Sequence, residues 1–154
     1  AGPISNNISG PQLDRNADYN DIIGMLRYAD KIKNENIGQK IEFPRLAFFC
    51  TLIKRKVFDK IGGLDERYSP GNYEDDDFCM RAQLAGFKSH ILKYVFIHHY
   101  RSRSFAGDGN EAYKQRLETN QKKFIEKWGA SPEEIWLQGK GIIPPELFIP
   151  YKSS

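Results

Sequence analysis

The sequence is organised around one stretch, Gly71-Asn72-Tyr73-Glu74-Asp75-Asp76-Asp77-Phe78-Cys79-Met80-Arg81. Four consecutive acids follow a Ser-Pro-Gly-Asn turn and open a segment with helical apolar spacing, which Gly86 ends. Turn residues followed by acids predict a helix N-terminus, because the first turn has unpaired N–H groups and partial positive charge. A plain helix start is one interpretation of the acids. The other is that a strand-turn-helix junction presents Asp75 to a cleft as a general base or metal ligand.

Length and composition indicate a single globular domain. The 154 residues suffice for a hydrophobic core, with 40% hydrophobic and 28% charged residues. The net charge of +3 gives no reason to expect a nucleic-acid partner. No apolar run approaches the roughly 20 residues that span a bilayer, and no signal peptide opens the chain. We therefore expect a cytoplasmic protein, with a peripheral role at the membrane left open.

Two strands are predicted. Residues 46–53 form a near-continuous apolar run, which favours a central strand buried on both faces. Residues 90–99 predict a second strand that ends on His98 and His99. Because side chains alternate along a strand, only one histidine faces a cleft, and we favour His99. A simple hydrogen-bonded histidine at a strand end is the other interpretation of this position.

Helical spacing and caps predict the remaining elements. Residues 18–36 form a packing helix, capped by Asp18 or Asn20. A short helical turn covers residues 57–61, and a long helix ends at Gly129. A further helix follows the capping box Ser131-Pro132-Glu133-Glu134.

These elements define one domain over residues 1–154. Residues 1–17 are a loop-rich lead-in without a strand or helix pattern, residues 18–138 are the core, and residues 139–154 are an extended tail. Cys50 and Cys79 lie in the apolar patterns of a strand and a helix, which predicts buried thiols in a reducing compartment.

Four segments occur in a fixed order between residues 48 and 105. They read Phe48-Phe49-Cys50-Thr51-Leu52-Ile53-Lys54-Arg55, Ile61-Gly62-Gly63-Leu64-Asp65-Glu66-Arg67-Tyr68, Tyr73-Glu74-Asp75-Asp76-Asp77-Phe78-Cys79-Met80-Arg81 and Ile97-His98-His99-Tyr100-Arg101-Ser102-Arg103-Ser104-Phe105. Together they resemble the acceptor-side half of family-two nucleotide-sugar glycosyltransferases with the GT-A fold. The resemblance implies an α/β fold with a partial GT-A-like mixed sheet flanked by helices.

The resemblance also implies what this chain lacks. In that family an N-terminal α/β half binds the nucleotide and ends in a metal-binding Asp-x-Asp motif, and no such half precedes Ala1. We therefore expect the C-terminal part of an enzyme, inactive as an isolated fragment, whose partner is the missing N-terminal half. The strand at residues 46–53 would have an orphaned edge, so we expect either a homo-oligomer through that edge or a C-terminal segment that folds back to cover it.

The resemblance assigns Asp75 as the general base and Glu74 as its catalytic neighbour. An inverting transfer needs a base to take the proton of the acceptor hydroxyl as it attacks the nucleotide-sugar donor. Asp77 and Arg81, four residues apart, are supporting residues that can pair on one helix face.

The donor side of the site is expected beyond the second strand. The resemblance implies that His99 or His98 contacts the donor diphosphate, with His99 as a metal ligand. Arg101 and Arg103 are expected to bind the diphosphate, since guanidinium groups match phosphate oxygens. A solvated basic loop is the other interpretation of these two arginines. Mg²⁺ or Mn²⁺ is the cofactor expected for the full enzyme, and it should bind this fragment weakly or not at all.

Two other functions compete with a transferase. One is a non-catalytic binding or assembly module that retains half of the fold. The other is a calcium site in the acidic loop, but the spacing lacks the alternating ligands and the bidentate Glu of an EF-hand.

Overall fold

The computed structural model describes residues 1–100 and 109–138. These residues form a mixed α/β structure, which confirms the expected class at that level. The strands are β1 (Gly2–Ile4), β2 (Lys40–Glu42) and β3 (His90–Phe96), and the α-helices are α1 (Ile22–Glu35), α2 (Arg55–Ile61), α3 (Glu74–Leu84), α4 (Gly109–Trp128) and α5 (Pro132–Gln138). The chain forms two compact units, unit 1 (Ala1–Ile53 and Lys88–Arg101) and unit 2 (Lys54–Phe87 and Ser102–Ser154). The expectation of one domain stays a prediction.

Unit 1 contains a three-stranded mixed sheet in the order β1-β3-β2. The central strand, β3, pairs in parallel with β1 and antiparallel with β2. Ile91 faces Gly2 on one side and Ile41 on the other, and its side chain is fully buried. The strand predicted at residues 90–99 is therefore confirmed, although β3 ends at Phe96, just before the two histidines.

Strand β1 lies where the sequence predicts only loop. Pro3 has no N–H to donate, but β1 is an edge strand, where this lack is tolerated. The buried Gln12 amide donates to the Pro3 carbonyl at 2.9 Å and accepts from the Ala47 N–H at 2.7 Å. A Cβ atom on Gly2 would lie 2.8 Å from Gln12 Nε2, so glycine is needed for this close approach. Tertiary contacts, rather than local propensity, make this strand.

Helix α1 confirms the first predicted helix, with a different cap. Asp21 is the N-cap, and its carboxylate accepts from the Gly24 N–H at 2.6 Å. Asp18 and Asn20 lie further upstream and do not cap the helix. The ring of Tyr28 packs edge-on against Phe96 of β3, with ring centroids 5.1 Å apart. Helix α1 thus covers one face of the sheet, as a packing helix should.

The strand predicted at residues 46–53 is wrong. Leu46 and Ala47 are buried, but the backbone turns at Phe48 and Phe49, and Leu52 is 79% exposed. An apolar run without alternation indicates burial but does not distinguish a strand from a packed loop. The orphaned edge on which the expected homo-oligomer rested is therefore absent from this segment, and the oligomeric state stays a prediction.

The two cysteines have different environments. Cys79 on α3 is buried, as predicted, whereas Cys50 is exposed because the expected strand is not formed. Neither takes part in a disulfide. Within the described ranges, no helix combines the length and apolar character needed to cross a membrane.

Unit 2 confirms the predicted helices α2 to α5. Its core is an aromatic and aliphatic cluster of Tyr68, Met80, Phe124, Trp128, Ala130 and Ile135. The predicted capping box is present, because the Ser131 N–H donates to Glu134 Oε2 at 2.9 Å and Ser131 Oγ accepts from the Glu134 N–H at 3.3 Å.

A buried charge network joins the helices of unit 2. Arg81 Nε donates to Asp77 Oδ2 at 2.8 Å, and both side chains are completely buried, which confirms the predicted pairing. Asp77 Oδ1 accepts from Trp128 Nε1 at 2.9 Å and from Lys127 Nζ at 2.5 Å. Arg81 also donates to the carbonyl oxygens of Ile61 and Gly63, both at 2.7 Å. One carboxylate and one guanidinium therefore connect α2, α3 and α4.

Lys127 extends this network to a second buried acid. Its Nζ lies 2.9 Å from Asp65 Oδ2, and Asp65 is also held by the Arg67 side chain. Burial raises the pKa of Asp65, but the hydrogen bonds from Arg67 and Lys127 outweigh it and hold the pKa below its ordinary value.

We expect Arg81→Met to destabilise unit 2 by about 3 kcal/mol, the lower end for a broken buried pair, because Lys127 still faces Asp77. Both tryptophans of the chain, Trp128 and Trp136, lie in unit 2, so urea unfolding followed by tryptophan fluorescence measures this change. Arg55→Met, an exposed arginine of the same unit, is the matched control and should change stability by less than about 0.5 kcal/mol. Equal effects of the two substitutions would contradict the structural role of Arg81.

Candidate functional site

The acidic helix begins after a strained turn. Helix α3 starts at Glu74, as predicted, and the preceding residues Gly71, Asn72 and Tyr73 have φ values of 143°, 75° and 75°. Asparagine tolerates the left-handed region, but tyrosine occupies it at a cost of about 1–3 kcal/mol. Such conformations persist only where surrounding contacts impose them, and they concentrate at functional sites.

Asn120 of α4 supplies those contacts. Its side chain is buried, and Nδ2 donates to the carbonyl oxygens of Tyr68 at 2.8 Å and Gly71 at 2.9 Å, with Asn72 O at 3.3 Å. Our sequence interpretation missed this residue. The available signal was a polar residue on the apolar face of α4, four positions before Phe124.

Two of the four acids have structural partners. Asp77 is held in the buried charge network, and Asp76 Oδ1 accepts from Trp136 Nε1 at 3.3 Å. Only 5% of Asp76 is exposed. The sequence predicted an apolar stripe on α3, but residues 76–82 are all buried, so the helix is enclosed on all sides. The first-turn acid Asp76 therefore lies in the interior.

Glu74 and Asp75 are half-buried and retain some solvent-accessible surface. Glu74 Oε2 is buried and accepts no hydrogen bond from the part of the chain that the structure describes. Burial raises the pKa of Glu74, and the nearby charge of Asp76 raises it further, against backbone hydrogen bonds that lower it. Asp75 Oδ1 accepts from the Asp76 N–H at 2.9 Å. These two acids are the ones in α3 that keep exposed surface.

His99, in unit 1, is held by the turn that follows β1. Its backbone N–H donates to Asn6 Oδ1 at 2.9 Å, and its ring Nδ1 lies 2.6 Å from the Asn7 carbonyl oxygen. The ring of Phe49 packs on it, with centroids 5.1 Å apart. A histidine oriented by a backbone carbonyl is the arrangement found at many ligand and metal sites.

His98 lies in an aromatic cluster instead. Its Nδ1 is 2.5 Å from the Tyr19 hydroxyl, and its ring is 4.3 Å from that of Tyr100. Burial raises the pKa of Tyr19, and nearby Tyr100 and Asp14 raise it further, which keeps the phenol protonated.

The predicted site residues belong to both units. Glu74, Asp75, Asp77 and Arg81 share α3 in unit 2, and His98 and His99 follow β3 in unit 1. Arg101 and Arg103 lie outside the described residues, as does the tail predicted at residues 139–154.

The described residues do not form a metal centre by themselves. No group of three or more His, Cys, Asp or Glu side chains suited to a metal occurs within residues 1–100 and 109–138. Mg²⁺ needs near-octahedral oxygen ligands, and one imidazole does not provide them. The expected role of His99 as a metal ligand therefore has no support from its neighbours.

We expect Asn120→Ala to destabilise the chain by about 1–3 kcal/mol, because the carbonyl oxygens of Tyr68 and Gly71 each lose one of their hydrogen-bond donors. Amide hydrogen exchange at Gly71, whose N–H donates to the Tyr68 carbonyl at 2.8 Å, reports the loosened turn locally. The adjacent exposed residue provides the control: Thr119→Ala should leave the Gly71 exchange rate unchanged. Unaltered protection of Gly71 in Asn120→Ala would exclude the proposed support of the turn.

Glu74→Gln should raise stability at pH 7. The folded-state pKa of Glu74 lies above the ordinary value of 4.5, so ionisation in the folded chain is disfavoured. The stabilisation from protonated Glu74 in the folded chain is therefore complete below pH 4.5. It is lost as the pH rises through the folded-state pKa of Glu74. Denaturation of both proteins between pH 3.5 and 8 checks this, with Glu66→Gln on an exposed acid as control. An advantage of Glu74→Gln that does not shrink at low pH would refute the shift.

Comparisons with known proteins give a short stretch of similarity. No family model matches the sequence, and no solved structure matches it. The chain is similar to the uncharacterized protein y4gI of Sinorhizobium fredii (strain NBRC 101917 / NGR234), with 33% identity over 55 residues. The match covers 36% of this chain and 6% of that protein, so the chain spans a small part of the relative's length.

Proposed function

We propose that this chain is the acceptor-side, catalytic-base part of a nucleotide-sugar glycosyltransferase, with Asp75 as the general base. The observation that carries the proposal is that the four acids of α3 differ in burial and in their contacts. Asp76 and Asp77 are buried against Trp136, Arg81, Lys127 and Trp128. Asp75, whose Oδ1 accepts from the Asp76 N–H at 2.9 Å, is half-buried and keeps exposed surface in the first helical turn. The order of the four sequence segments supports the same class of reaction.

In the proposed reaction, Asp75 takes the proton of an acceptor hydroxyl as its oxygen attacks the anomeric carbon of the donor. The nucleoside diphosphate leaves from the opposite face, so the configuration inverts. A positioned carboxylate contributes about 10²–10⁴-fold to such a step. Asp75 Oδ1 is held by the Asp76 N–H at 2.9 Å, residues 76–82 behind it are buried, and the preceding turn is tied to Asn120. Arg101 and Arg103 stay proposed as partners of the diphosphate.

Glu74 has a different proposed role. Its raised pKa and buried Oε2 favour a protonated side chain at lower pH, which donates a hydrogen bond rather than accepting a proton. Glu74 therefore suits the orientation of a substrate hydroxyl next to Asp75.

A second candidate function, a non-catalytic binding or assembly module, is favoured by one surface. Ile22, Ile23 and Leu26 of α1 are 67%, 58% and 55% exposed. Isolated exposed apolar side chains are common, but three on neighbouring turns of one helix form an apolar patch of the kind that marks interaction sites.

Asp75→Asn should lower sugar transfer by at least about 10²-fold, because the amide cannot take the proton. The assay uses the longest reading frame that contains residues 1–154, a panel of labelled nucleotide sugars and Mn²⁺. Donor binding, measured by thermal shift, should be unchanged in this variant. Asp76→Asn is the matched control, since its Oδ1 can still accept from Trp136. Near-normal transfer by Asp75→Asn refutes the assignment, and a complete absence of donor binding in the parent protein favours the binding module.

A further inference from the structure

The two ring nitrogens of His99 have different hydrogen-bond roles. Nδ1 lies 2.6 Å from the carbonyl oxygen of Asn7. A carbonyl oxygen only accepts hydrogen bonds, so Nδ1 must carry the proton and donate it. In the neutral ring, Nε2 then has a lone pair and no hydrogen. The structure therefore gives this imidazole one donor that is already used and one acceptor.

The acceptor nitrogen is held in a fixed place. The His99 N–H is bound to Asn6 Oδ1 at 2.9 Å, and the Phe49 ring packs against the imidazole. Within residues 1–100 and 109–138, Nε2 makes no hydrogen bond of its own, and the side chain is half-buried rather than enclosed. A preorganised acceptor of this kind selects a ligand that brings a hydrogen.

We infer that Nε2 of His99 accepts a hydrogen bond from a carbohydrate hydroxyl, and that Asn6 and Asn7 are the positioning residues that set the roles of the ring nitrogens. The inference rests on the proposed function, which makes a carbohydrate the ligand. It assigns His99 to the sugar rather than to the diphosphate expected from the sequence. Ionised phosphate oxygens are acceptors, and a neutral ring protonated on Nδ1 has no hydrogen at Nε2 to give them.

The lone pair alone would also suit a divalent cation. A cation needs several ligands held together, and the described residues provide no group of three or more such side chains. A hydroxyl needs only one acceptor, so it matches the observed site with nothing further required.

His98 provides an internal comparison. Its Nδ1 meets the hydroxyl of Tyr19, which both donates and accepts, so this contact does not define the position of the ring proton. The two adjacent histidines therefore differ in what fixes them: a backbone carbonyl for His99 and a phenol for His98. Only the first imposes a single tautomer.

The test is ¹⁵N NMR of the 154-residue chain, which has three histidines, at a pH where the rings are neutral. We expect His99 to carry its proton on Nδ1. Asn6→Ala removes the acceptor that holds the His99 backbone, so the ring should lose its contact with the Asn7 carbonyl oxygen. The ratio of the Nδ1–H to the Nε2–H form should then fall about fivefold, the effect of that one lost hydrogen bond. Asn6→Asp, which keeps the acceptor oxygen, should restore the ratio. Asn7→Ala should leave it unchanged, because the acceptor at position 7 is the backbone carbonyl.

Two probes of the same chain test whether its own residues bind a cation or a phosphate at His99. Micromolar Mn²⁺ should not selectively broaden the His99 signals, and inorganic pyrophosphate should not selectively shift them. A proton found on Nε2 of His99, an unchanged ratio in Asn6→Ala, or a selective effect of either probe overturns the inference. None of these measurements needs sugar transfer, so their failure is distinguishable from failure of the Asp75 assignment.

Discussion

The carboxylate of Asp77 is the point on which unit 2 depends. It is completely buried, and it is satisfied by a guanidinium from its own helix and by an ammonium and an indole N–H from α4. An unpaired charge in that position would be very unfavourable, so the three partners must be present together. Because Arg81 also binds two carbonyl oxygens at the end of α2, one ion pair sets the positions of three helices. This arrangement also sets the positions of the acids at the start of α3.

The candidate site lies where this rigid interior meets an unfavourable backbone. Tyr73 adopts a left-handed conformation, and the next residue, Glu74, keeps one carboxylate oxygen buried without a donor among the described residues. Each feature lowers stability, and each is maintained by buried neighbours such as Asn120. Strained or unpaired groups of this kind lower stability and persist only where well-packed neighbours impose them. They are concentrated at functional sites.

Local sequence signals predicted the elements whose cause is local. The start of α3, the capping box of α5 and the helix partner of Asp77 depend on residues within four positions of one another. The strand at residues 46–53 failed because an apolar run records burial and not backbone direction. Strand β1 was missed because its three residues pair with β3, far along the chain.

The same reasoning explains the candidate site. The acids were visible as a run, but the burial of Asp76 and Asp77 depends on Trp128 and Trp136, which approach from other helices. Asn120 acts through carbonyl oxygens some fifty positions away, and no window of sequence contains that relation. Sequence therefore indicated the run of acids, and tertiary contacts decided which of them lie in the interior.

The pairing of β1 with β3 has a consequence for folding during synthesis on the ribosome. Gly2 can pair in β1 only after Ile91 of β3 has been synthesised. At elongation rates of about 5–20 residues per second, this delay lasts roughly 5–20 s. During that interval helix α1 lacks the sheet it covers, and its apolar side chains face the surroundings of the nascent chain. The sheet of unit 1 therefore cannot close until β3 has been synthesised.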